Sequence, residues 1–332
     1  MTTLAPPVKL DYGTAILSAF EYLLSNYPEV FIIGQGLWSP WYVGNSMTDL
    51  DKKFGQSRII DTPVSEAACT GAAVGASLAG MRPIVVHPRL DFMLYAMDPI
   101  VNQAAKWSYM FGGQAHPGVT IRGIINRGGE QGAQHSQALQ SWFAHIPGLR
   151  VVMPATVQDA RDLLIASVLS PDPVVYIDDR WLYSETQELA PIIEMNLSNI
   201  EPVCLKNGDD LTIVGSGFTT KQALKVSEEL AEKSISVEVI DLRILNPFHP
   251  ATLIKSVEKT GRLLVLDGGW RSCGMASEVI ASVVENLEPS SIKSKPQRIT
   301  LPSTPAPTSK FLEEKYFSLD ELDLKIQSLF SR

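Results

Sequence analysis

The stretch RIIDTPVSEAACTGAAVGASLAGMRPIVVH, residues 58–87, decides the fold of this chain. It begins with a short apolar run at 58–60, continues with a helical pattern at 66–80 and ends with a second β-branched run at 83–87. Short apolar runs separated by a helical pattern are typical of parallel strands joined by a crossover helix. The stretch therefore predicts a parallel α/β sheet.

The same alternation extends over nearly the whole chain and predicts two α/β domains. The chain has 332 residues, about twice the length of a typical single domain. The alternation weakens at 184–202, a polar stretch with two prolines, and returns at 211. We therefore expect a first domain at 1–185, a linker at 186–200 and a second, smaller α/β domain at 201–332. The other predicted strands lie at 29–34, 119–125, 150–153, 174–178, 211–214, 237–241 and 263–266, and the other predicted helices at 12–26, 93–111, 136–145, 157–169, 220–233, 251–260, 275–287 and 319–330.

Composition and charge exclude several functional classes. The chain carries 36 acidic and 28 basic side chains, for a net charge of −8, and no cluster of lysine and arginine that could follow a phosphate backbone. Its three cysteines, Cys69, Cys204 and Cys273, lack the spacing of a zinc site or a disulfide framework. No stretch has the ~18 consecutive apolar residues of a membrane span, and no targeting pattern opens the chain. We therefore expect a cytoplasmic protein that binds neither nucleic acid nor membranes.

The helix predicted at 66–80 combines a carboxylate at its start with a stripe of small residues. No charged residue occurs from 67 to 81, so we expect this helix to be buried on all sides. Gly71 and Gly75 are four residues apart, on one helical face that a second helix can approach closely, as at a tight subunit interface. Glu66 either offsets the helix dipole at an exposed end or, when buried, shares a proton with a bound ligand.

Two polar segments follow predicted strands and should meet at the carboxyl end of the sheet. HPRLDF, residues 87–92, follows the strand at 83–87, and open α/β sheets bind ligands at this edge. The glycine-rich loop NRGGEQGAQHS, residues 126–136, follows the strand at 119–125 and carries His135. A histidine in such a loop is either a structural residue or a group that takes part in chemistry, and its place after a strand favours chemistry.

Several sequence blocks occur in order along both predicted domains. They are RIIDTPVSE at 58–66, GAAVGASLAGMRP at 71–83, NQAAKW at 102–107, GAQHSQ at 132–137, HIPGLRVVMPAT at 145–156, DPVVYIDDR at 172–180 and VLDGGW at 265–270. Together they resemble the beta subunits of thiamine-diphosphate-dependent 2-oxo acid dehydrogenases, within the wider transketolase-like family. The resemblance covers most of the chain and implies a transketolase-like pyrimidine-binding domain followed by a transketolase C-terminal domain.

The resemblance implies roles for individual residues. Glu66 resembles the catalytic glutamate that hydrogen-bonds the aminopyrimidine of thiamine diphosphate and activates the cofactor by proton exchange. Phe92 resembles the aromatic residue that stacks on the pyrimidine, with an ordinary core phenylalanine as the alternative. His135 resembles the active-site histidine beside the substrate and the acyl acceptor. The family also implies that Gly71 and Gly75 pack against a second copy of the chain.

The resemblance also implies partners. The family binds the diphosphate and Mg²⁺ through a GDG motif and a following pair of asparagines, and this chain contains neither. The implied enzyme is therefore an α2β2 heterotetramer, in which a separate alpha subunit binds the diphosphate and Mg²⁺ and this chain provides no metal site. A lipoyl acyltransferase that accepts the acyl group is a further implied partner.

Two short segments depart from the family pattern and leave the substrate open: HPR at 87–89, and RGGE at 127–130, which is more charged than the corresponding loop of the family. In the first segment, His87 and Arg89 stand where dehydrogenase beta subunits have acidic or apolar residues. They either contact an anionic or heavily hydroxylated substrate, with Arg89 as a charge-assisted donor, or bind the partner subunit through a salt bridge. The leading hypothesis is oxidative decarboxylation of a 2-oxo acid with acyl transfer. The alternatives are a split transketolase-like enzyme that acts on a sugar or other polar substrate, and a non-catalytic scaffold, which the presence of Glu66, Phe92 and His135 disfavours.

Overall fold

The computed structural model describes residues 8–39 and 43–331. Within these residues the chain forms two largely parallel sheets covered by helices. Most of the sheet strands are short apolar runs buried on both faces, which is the pattern of parallel sheets. The predicted fold class, two α/β units built on parallel sheets, is confirmed.

The larger sheet has seven strands in the described part of the chain, and all of them run parallel except the first in spatial order. That order is β12 (Ile244–Asn246), β6 (Arg150–Val152), β7 (Val174–Asp179), β5 (Thr120–Ile125), β4 (Arg82–His87), β2 (Val30–Gln35) and β3 (Ile59–Thr62). β12 comes from the second half of the sequence and pairs antiparallel with β6, with Ile244 opposite Val152. The two halves of the chain therefore share this sheet.

The smaller sheet lies in the second half of the chain and is parallel except for one edge strand. Its spatial order is β14 (Gln297–Leu301), β13 (Leu263–Trp270), β10 (Leu211–Gly215), β11 (Val237–Asp241) and β9 (Val203–Lys206), and β9 is the antiparallel strand. A separate two-stranded ribbon pairs β1 (Val8–Asp11) with β8 (Thr186–Leu189). β8 lies in the polar stretch in which the alternation of the sequence weakens.

Helices cover both sheets. Two of them begin at side-chain caps: Asp11 accepts a hydrogen bond from the backbone N–H of Thr14 at 2.7 Å, and Thr156 accepts one from Asp159 at 3.0 Å. The α-helices are α1 (Tyr12–Asn26), α2 (Leu50–Phe54), α3 (Glu66–Leu78), α4 (Ala105–Met110), α5 (Gln140–Ala144), α6 (Val157–Leu169), α7 (Phe218–Glu232), α8 (Ala251–Thr260), α9 (Met275–Asn286), α10 (Lys310–Glu313) and α11 (Leu322–Phe330).

The prediction of a single helix at 93–111 is wrong. The segment consists of the end of a 3₁₀ helix (Leu90–Ala96), a π-helical turn (Asp98–Ala104) and α4. Pro99 lies at the start of the π-helical turn and has no N–H to continue an α-helical ladder, which interrupts the helix there.

The helix predicted at 136–145 is shorter than expected. Only α5 is helical, because tertiary hydrogen bonds hold the preceding residues in another conformation. The Ser136 hydroxyl donates to the carbonyl of Asn126 at 2.9 Å, and the backbone N–H of Gln137 donates to Asp91 at 3.1 Å. Both bonds tie this segment to the carboxyl end of the larger sheet.

Among the described residues, no helix combines the length and the apolar character that a bilayer crossing requires.

Candidate active site

A small pocket opens at the carboxyl ends of β3 and β4, the edge at which the sequence places its polar segments. Residues at the start of α3 line it on one side, and residues that end and follow β4 line it on the other. The pocket brings together four of the predicted site residues: Glu66, His87, Arg89 and Phe92.

Glu66 is the first residue of α3, and its side chain lines the pocket. A carboxylate at this end of a helix is favoured by the helix dipole. Glu66 is half-buried in the single chain, whereas a helix buried on all sides would enclose it completely. Because it faces a pocket and keeps some exposure, the Glu66 carboxylate is accessible to a ligand that enters there.

His87 is the last residue of β4 and is only 3% exposed. Its Nε2 lies 3.2 Å from the hydroxyl oxygen of Thr70, with which it shares a hydrogen bond. Burial lowers the pKa of His87 to about 4, so the imidazole is neutral near pH 7. Thr70 lies one helical turn after Glu66 and therefore faces the same way. Sequence reasoning missed Thr70, although this spacing of four could have indicated it.

Arg89 lies between the pocket and the loop that carries His135. One guanidinium nitrogen donates to the carbonyl of Pro88 at 2.9 Å, and another donates to the side-chain oxygen of Gln131 at 3.2 Å. His87 and Arg89 line the same pocket, as their spacing of two residues along an extended segment predicts. They differ in charge state, because His87 is neutral and the guanidinium is cationic.

Phe92 connects the pocket to His135. Its ring lies 5.1 Å from the imidazole of His135, edge-on at 88°, and stacks on Tyr95 at 6.3 Å. His135 is half-buried and, unlike Glu66, does not line the pocket itself. The structure therefore places His135 one aromatic ring away from the pocket.

Asp91 is a buried carboxylate that the sequence identifies only as one residue of the polar segment HPRLDF at 87–92. One of its oxygens accepts the N–H of Gln137, and the other has no hydrogen-bond partner among the residues that the structure describes. Burial raises the pKa of Asp91, and the nearby His135 opposes that rise. An acidic residue inside the apolar run LDFM was the available signal.

One face of α3 is open in the single chain. The prediction that this helix is buried on all sides is therefore wrong for the single chain. Among the residues that the structure describes, a Cβ added at Gly75 would meet nothing from other parts of the chain within 4 Å, and one added at Gly71 would meet Pro99 at 4.0 Å. The exposed residues of this helix face are small: Ala67, Ala68, Gly71, Ala72 and Gly75. The face is apolar and smooth.

Comparison with known proteins decides the family. The model "Transketolase, pyrimidine binding domain" matches residues 8–185, and "Transketolase, C-terminal domain" matches residues 202–322. "Acetoin:2,6-dichlorophenolindophenol oxidoreductase subunit beta" of Cupriavidus necator is 37% identical over 326 residues, which cover 93% of each chain. "Pyruvate dehydrogenase E1 component subunit beta-1, mitochondrial" of Arabidopsis thaliana is 38% identical over 307 residues, which cover 90% of this chain and 83% of that protein. The chain belongs to the family of 2-oxo acid dehydrogenase E1 beta subunits.

The resemblance inferred from the sequence blocks is thereby confirmed. Enzymes of the E1 beta family depend on thiamine diphosphate and act with an alpha subunit. A solved structure, "Split gene transketolase, inactive beta4 tetramer", has the same fold, with a TM-score of 0.75 over 96% of this chain and 98% of that chain. Its sequence identity is 21%, so the likeness concerns the fold alone.

Proposed function

We propose that this E1 beta chain is the beta subunit of an enzyme that oxidatively decarboxylates a 2-oxo acid and passes the acyl group to an acceptor. One observation carries the proposal: Glu66 and Phe92 line the same pocket at the carboxyl end of the parallel sheet. The imidazole of His135 packs against the same phenylalanine. A scaffold that kept only the fold would not need these three groups together.

The pocket residues fit the aminopyrimidine of thiamine diphosphate. That ring is flat and has polar atoms at its edge, so an aromatic side chain can stack on it and a carboxyl group can hydrogen-bond to it. Glu66 would hold a proton at a carboxyl oxygen and exchange it with the edge of the ring. Phe92 would keep the ring in place and exclude water. When bound, thiamine diphosphate supplies the carbon nucleophile that attacks the substrate carbonyl.

His135 acts on the substrate side of Phe92 in this proposal. A half-buried imidazole can donate a proton to, or accept one from, an oxygen of the substrate or the acyl acceptor. Asp91 lies close enough to His135 to interact with it electrostatically. Its second oxygen, for which the described residues provide no hydrogen-bond partner, is a buried acceptor.

A separate alpha subunit completes the site in this proposal. The sequence of this chain lacks the GDG motif with which the family holds the diphosphate and Mg²⁺, and we assign both to the alpha subunit. The open face of α3 that contains Gly71 and Gly75 is the surface through which two copies of the chain meet in an α2β2 assembly. We further propose a cytoplasmic location, a lipoyl acyltransferase as acyl acceptor, and the domain division at 186–200.

His87 and Arg89 bear on the choice of substrate. The names of the two relatives point to acetoin, which is neutral, and to pyruvate, which is anionic. A cationic guanidinium at the pocket favours an anionic substrate through charge-assisted hydrogen bonds. We therefore propose a 2-oxo acid rather than acetoin, with the neutral His87 as an uncharged hydrogen-bonding group near it.

The experiment is to purify the chain with its native alpha subunit and to measure reduction of 2,6-dichlorophenolindophenol with a panel of substrates. The panel contains pyruvate, branched 2-oxo acids, acetoin and a ketose phosphate, each with and without thiamine diphosphate. We expect cofactor-dependent dye reduction with a 2-oxo acid. Turnover of acetoin alone would reassign the substrate, and transfer from the ketose phosphate alone would support the split transketolase alternative. A complex that binds the cofactor and turns over none of these compounds would contradict the proposal.

A further inference from the structure

The loop that carries His135 contacts a segment from the far end of the chain. Glu313, in α10, is only 2% exposed. One of its carboxylate oxygens accepts the backbone N–H of Gly128 at 2.8 Å, and the other accepts the backbone N–H of Glu130 at 2.9 Å. A buried carboxylate with two backbone donors is a strong, charge-assisted contact. It joins residues that are more than 180 positions apart in the sequence.

The contact is reciprocal. The side chain of Glu130 accepts the backbone N–H of Lys310 at 3.0 Å, so each segment provides a carboxylate for the other. Gly132 lies against Thr308, because a Cβ added at this glycine would be 2.6 Å from the threonine hydroxyl. We call residues 308–313 the C-terminal clasp. It contacts every second residue of the loop from 128 to 132.

The conformation of the loop needs such support. Gly128, Glu130 and Gly132 all have positive φ angles, of 84°, 55° and 72°. Glycine adopts this region freely, whereas a residue with a Cβ adopts it only when its surroundings favour it. Glu130 is held there by hydrogen bonds from its own N–H to Glu313 and from Lys310 to its carboxylate. The clasp therefore imposes the shape of the loop.

The shape of the loop sets the position of His135. The backbone N–H of His135 donates to the carbonyl of Gly132 at 3.3 Å, so the histidine follows directly on the held residues. At the base of the loop, Ser136 donates to Asn126 at 2.9 Å. With its base tied to the sheet and its middle tied to the clasp, the loop has little freedom to move the imidazole away from Phe92.

We infer that Glu313 is a positioning residue for His135, and that the second α/β unit thereby orders the active-site loop of the first. The inference rests on the proposed function only where it makes His135 part of the reaction. Glu313 does not line the pocket and acts through Gly128 and Glu130.

The test compares E313A and E313Q with E314A in the full-length chain. Glu314 is the matched control, because it neighbours Glu313, is exposed and has a single side-chain ion pair within the described part of the chain, with Lys310 at 4.0 Å. Hydrogen exchange of the peptide at 126–137 reports the loop directly. We expect about ten- to hundredfold faster exchange in E313A, since two hydrogen bonds to a charged acceptor are lost. E313Q should show a smaller increase, because its amide keeps one acceptor oxygen, and E314A should match the wild type.

The second measurement is turnover in the complex with the alpha subunit. A mispositioned His135 should lower kcat by about ten- to hundredfold in E313A and leave the binding of thiamine diphosphate unchanged. Exchange in the peptides of β4 and β10 should also stay unchanged. This combination of local loosening, lower kcat and intact cofactor binding supports a positioning role. E313Q keeps the side-chain volume and decides the question if E313A does not fold.

Three results would overturn the inference. They are unchanged loop exchange in a folded E313A or E313Q chain, faster exchange spread evenly over both sheets, and a loosened loop with wild-type kcat. If the wild-type complex turns over no substrate while E313A still loosens the loop, the contact between the clasp and the loop is supported and the proposed function is the one that fails.

Discussion

The imidazole of His135 meets the ring of Phe92 edge-on, with 5.1 Å between ring centroids. Phe92 follows β4 and lines the pocket with Glu66, whereas His135 ends the loop after β5. β4 and β5 are neighbouring parallel strands, so this contact joins two segments that leave the same edge of the sheet. Edge-on aromatic pairs contribute about 0.5–1.5 kcal/mol beyond burial. The contact therefore favours the placement of His135 one aromatic ring away from the pocket.

The Glu66→Gln variant should lose nearly all turnover. The amide has the size of the carboxylate but cannot exchange the proton that the proposed mechanism requires, and such exchange contributes about 10²–10⁴-fold to rates. Steady-state turnover of the purified complex with its alpha subunit measures the effect, and melting temperature shows whether the fold is intact.

Glu278→Gln is the matched control for Glu66. Glu278 also lies in the first turn of a helix, α9, but is exposed on the surface. Both variants lose the favourable interaction with a helix dipole, about 0.3–1 kcal/mol. Only the Glu66 variant should lose turnover. If the two variants retain equal turnover, the role of Glu66 is limited to its favourable interaction with the helix dipole.

Binding of thiamine diphosphate should depend on the alpha subunit. The chain offers contacts for the pyrimidine in the pocket of Glu66 and Phe92, but its sequence lacks the family's diphosphate and Mg²⁺ motif. Calorimetry should therefore detect weak binding to the chain alone and tight, Mg²⁺-dependent binding once the alpha subunit is added. Tight, Mg²⁺-dependent binding to the isolated chain would show that the diphosphate site lies elsewhere in this chain.

The two sheets could be predicted from the sequence because their central strands are local features. β4 and β5 are short runs rich in isoleucine and valine, although β5 includes the buried Arg122, and each is followed by a polar segment. β12 could not be predicted, because it has three residues and pairs with β6, about ninety positions earlier in the sequence. Its stability comes from a tertiary contact that no local pattern records.

The candidate site was predictable to the extent that its residues follow strands or begin a helix. Glu66, His87 and Phe92 fall into this class, and they line one pocket. Asp91 and Glu313 were not identified, because their importance depends on contacts with Gln137 and with the His135 loop. The first contact joins two segments of the first α/β unit, and the second depends on how the two α/β units pack against one another.

Self-association should depend on the small residues of α3. Gly75→Leu should leave the fold of a single chain intact, because a Cβ there meets nothing from other parts of the described chain within 4 Å. The leucine also removes the cost of glycine in a helix, about 0.8–1 kcal/mol. Its bulk should nevertheless prevent close approach of a second helix, so light scattering should show a smaller assembly. Ala281→Leu, on an exposed position of α9, is the control, and a Gly75→Leu chain that assembles normally would exclude this face as the interface.

The buried histidine of the pocket should destabilise the chain in acid. The pKa of His87 is about 4 in the folded protein, against an ordinary value of 6.5, so the unfolded chain binds a proton in this window and the folded chain does not. The free energy of unfolding is therefore unaffected by His87 above about pH 6.5. It falls by up to about 3 kcal/mol as the pH drops towards 4, because the unfolded chain binds the proton more tightly.

The His87→Gln variant tests this pH dependence. Glutamine does not titrate and can keep the hydrogen bond to Thr70. Its free energy of unfolding, measured with urea between pH 7.5 and 4.5, should fall less steeply than that of the wild type. His145→Gln, which changes an exposed histidine that does not line the pocket, is the control. Parallel curves for His87→Gln and the wild type would mean that burial does not lower the pKa of His87.

Arg89 should select an anionic substrate. Removing a charge-assisted hydrogen bond costs about 1.5–3 kcal/mol, so Arg89→Ala should lower kcat/KM for a 2-oxo acid by roughly ten- to over a hundredfold. Any turnover of neutral acetoin should change little. Gln131→Ala is the matched control, because it removes the 3.2 Å bond between Arg89 and the His135 loop while keeping the guanidinium.

The two variants together separate three roles of Arg89. A large loss in Arg89→Ala and a small one in Gln131→Ala place the guanidinium on the substrate. Equal losses mean that Arg89 acts through its bond to the loop. Unchanged kinetics with weaker association of the alpha subunit, measured by calorimetry, would instead assign Arg89 to the subunit interface. The choice of substrate would then depend on other residues of the pocket. His87 is the first candidate, because it lines the same cavity.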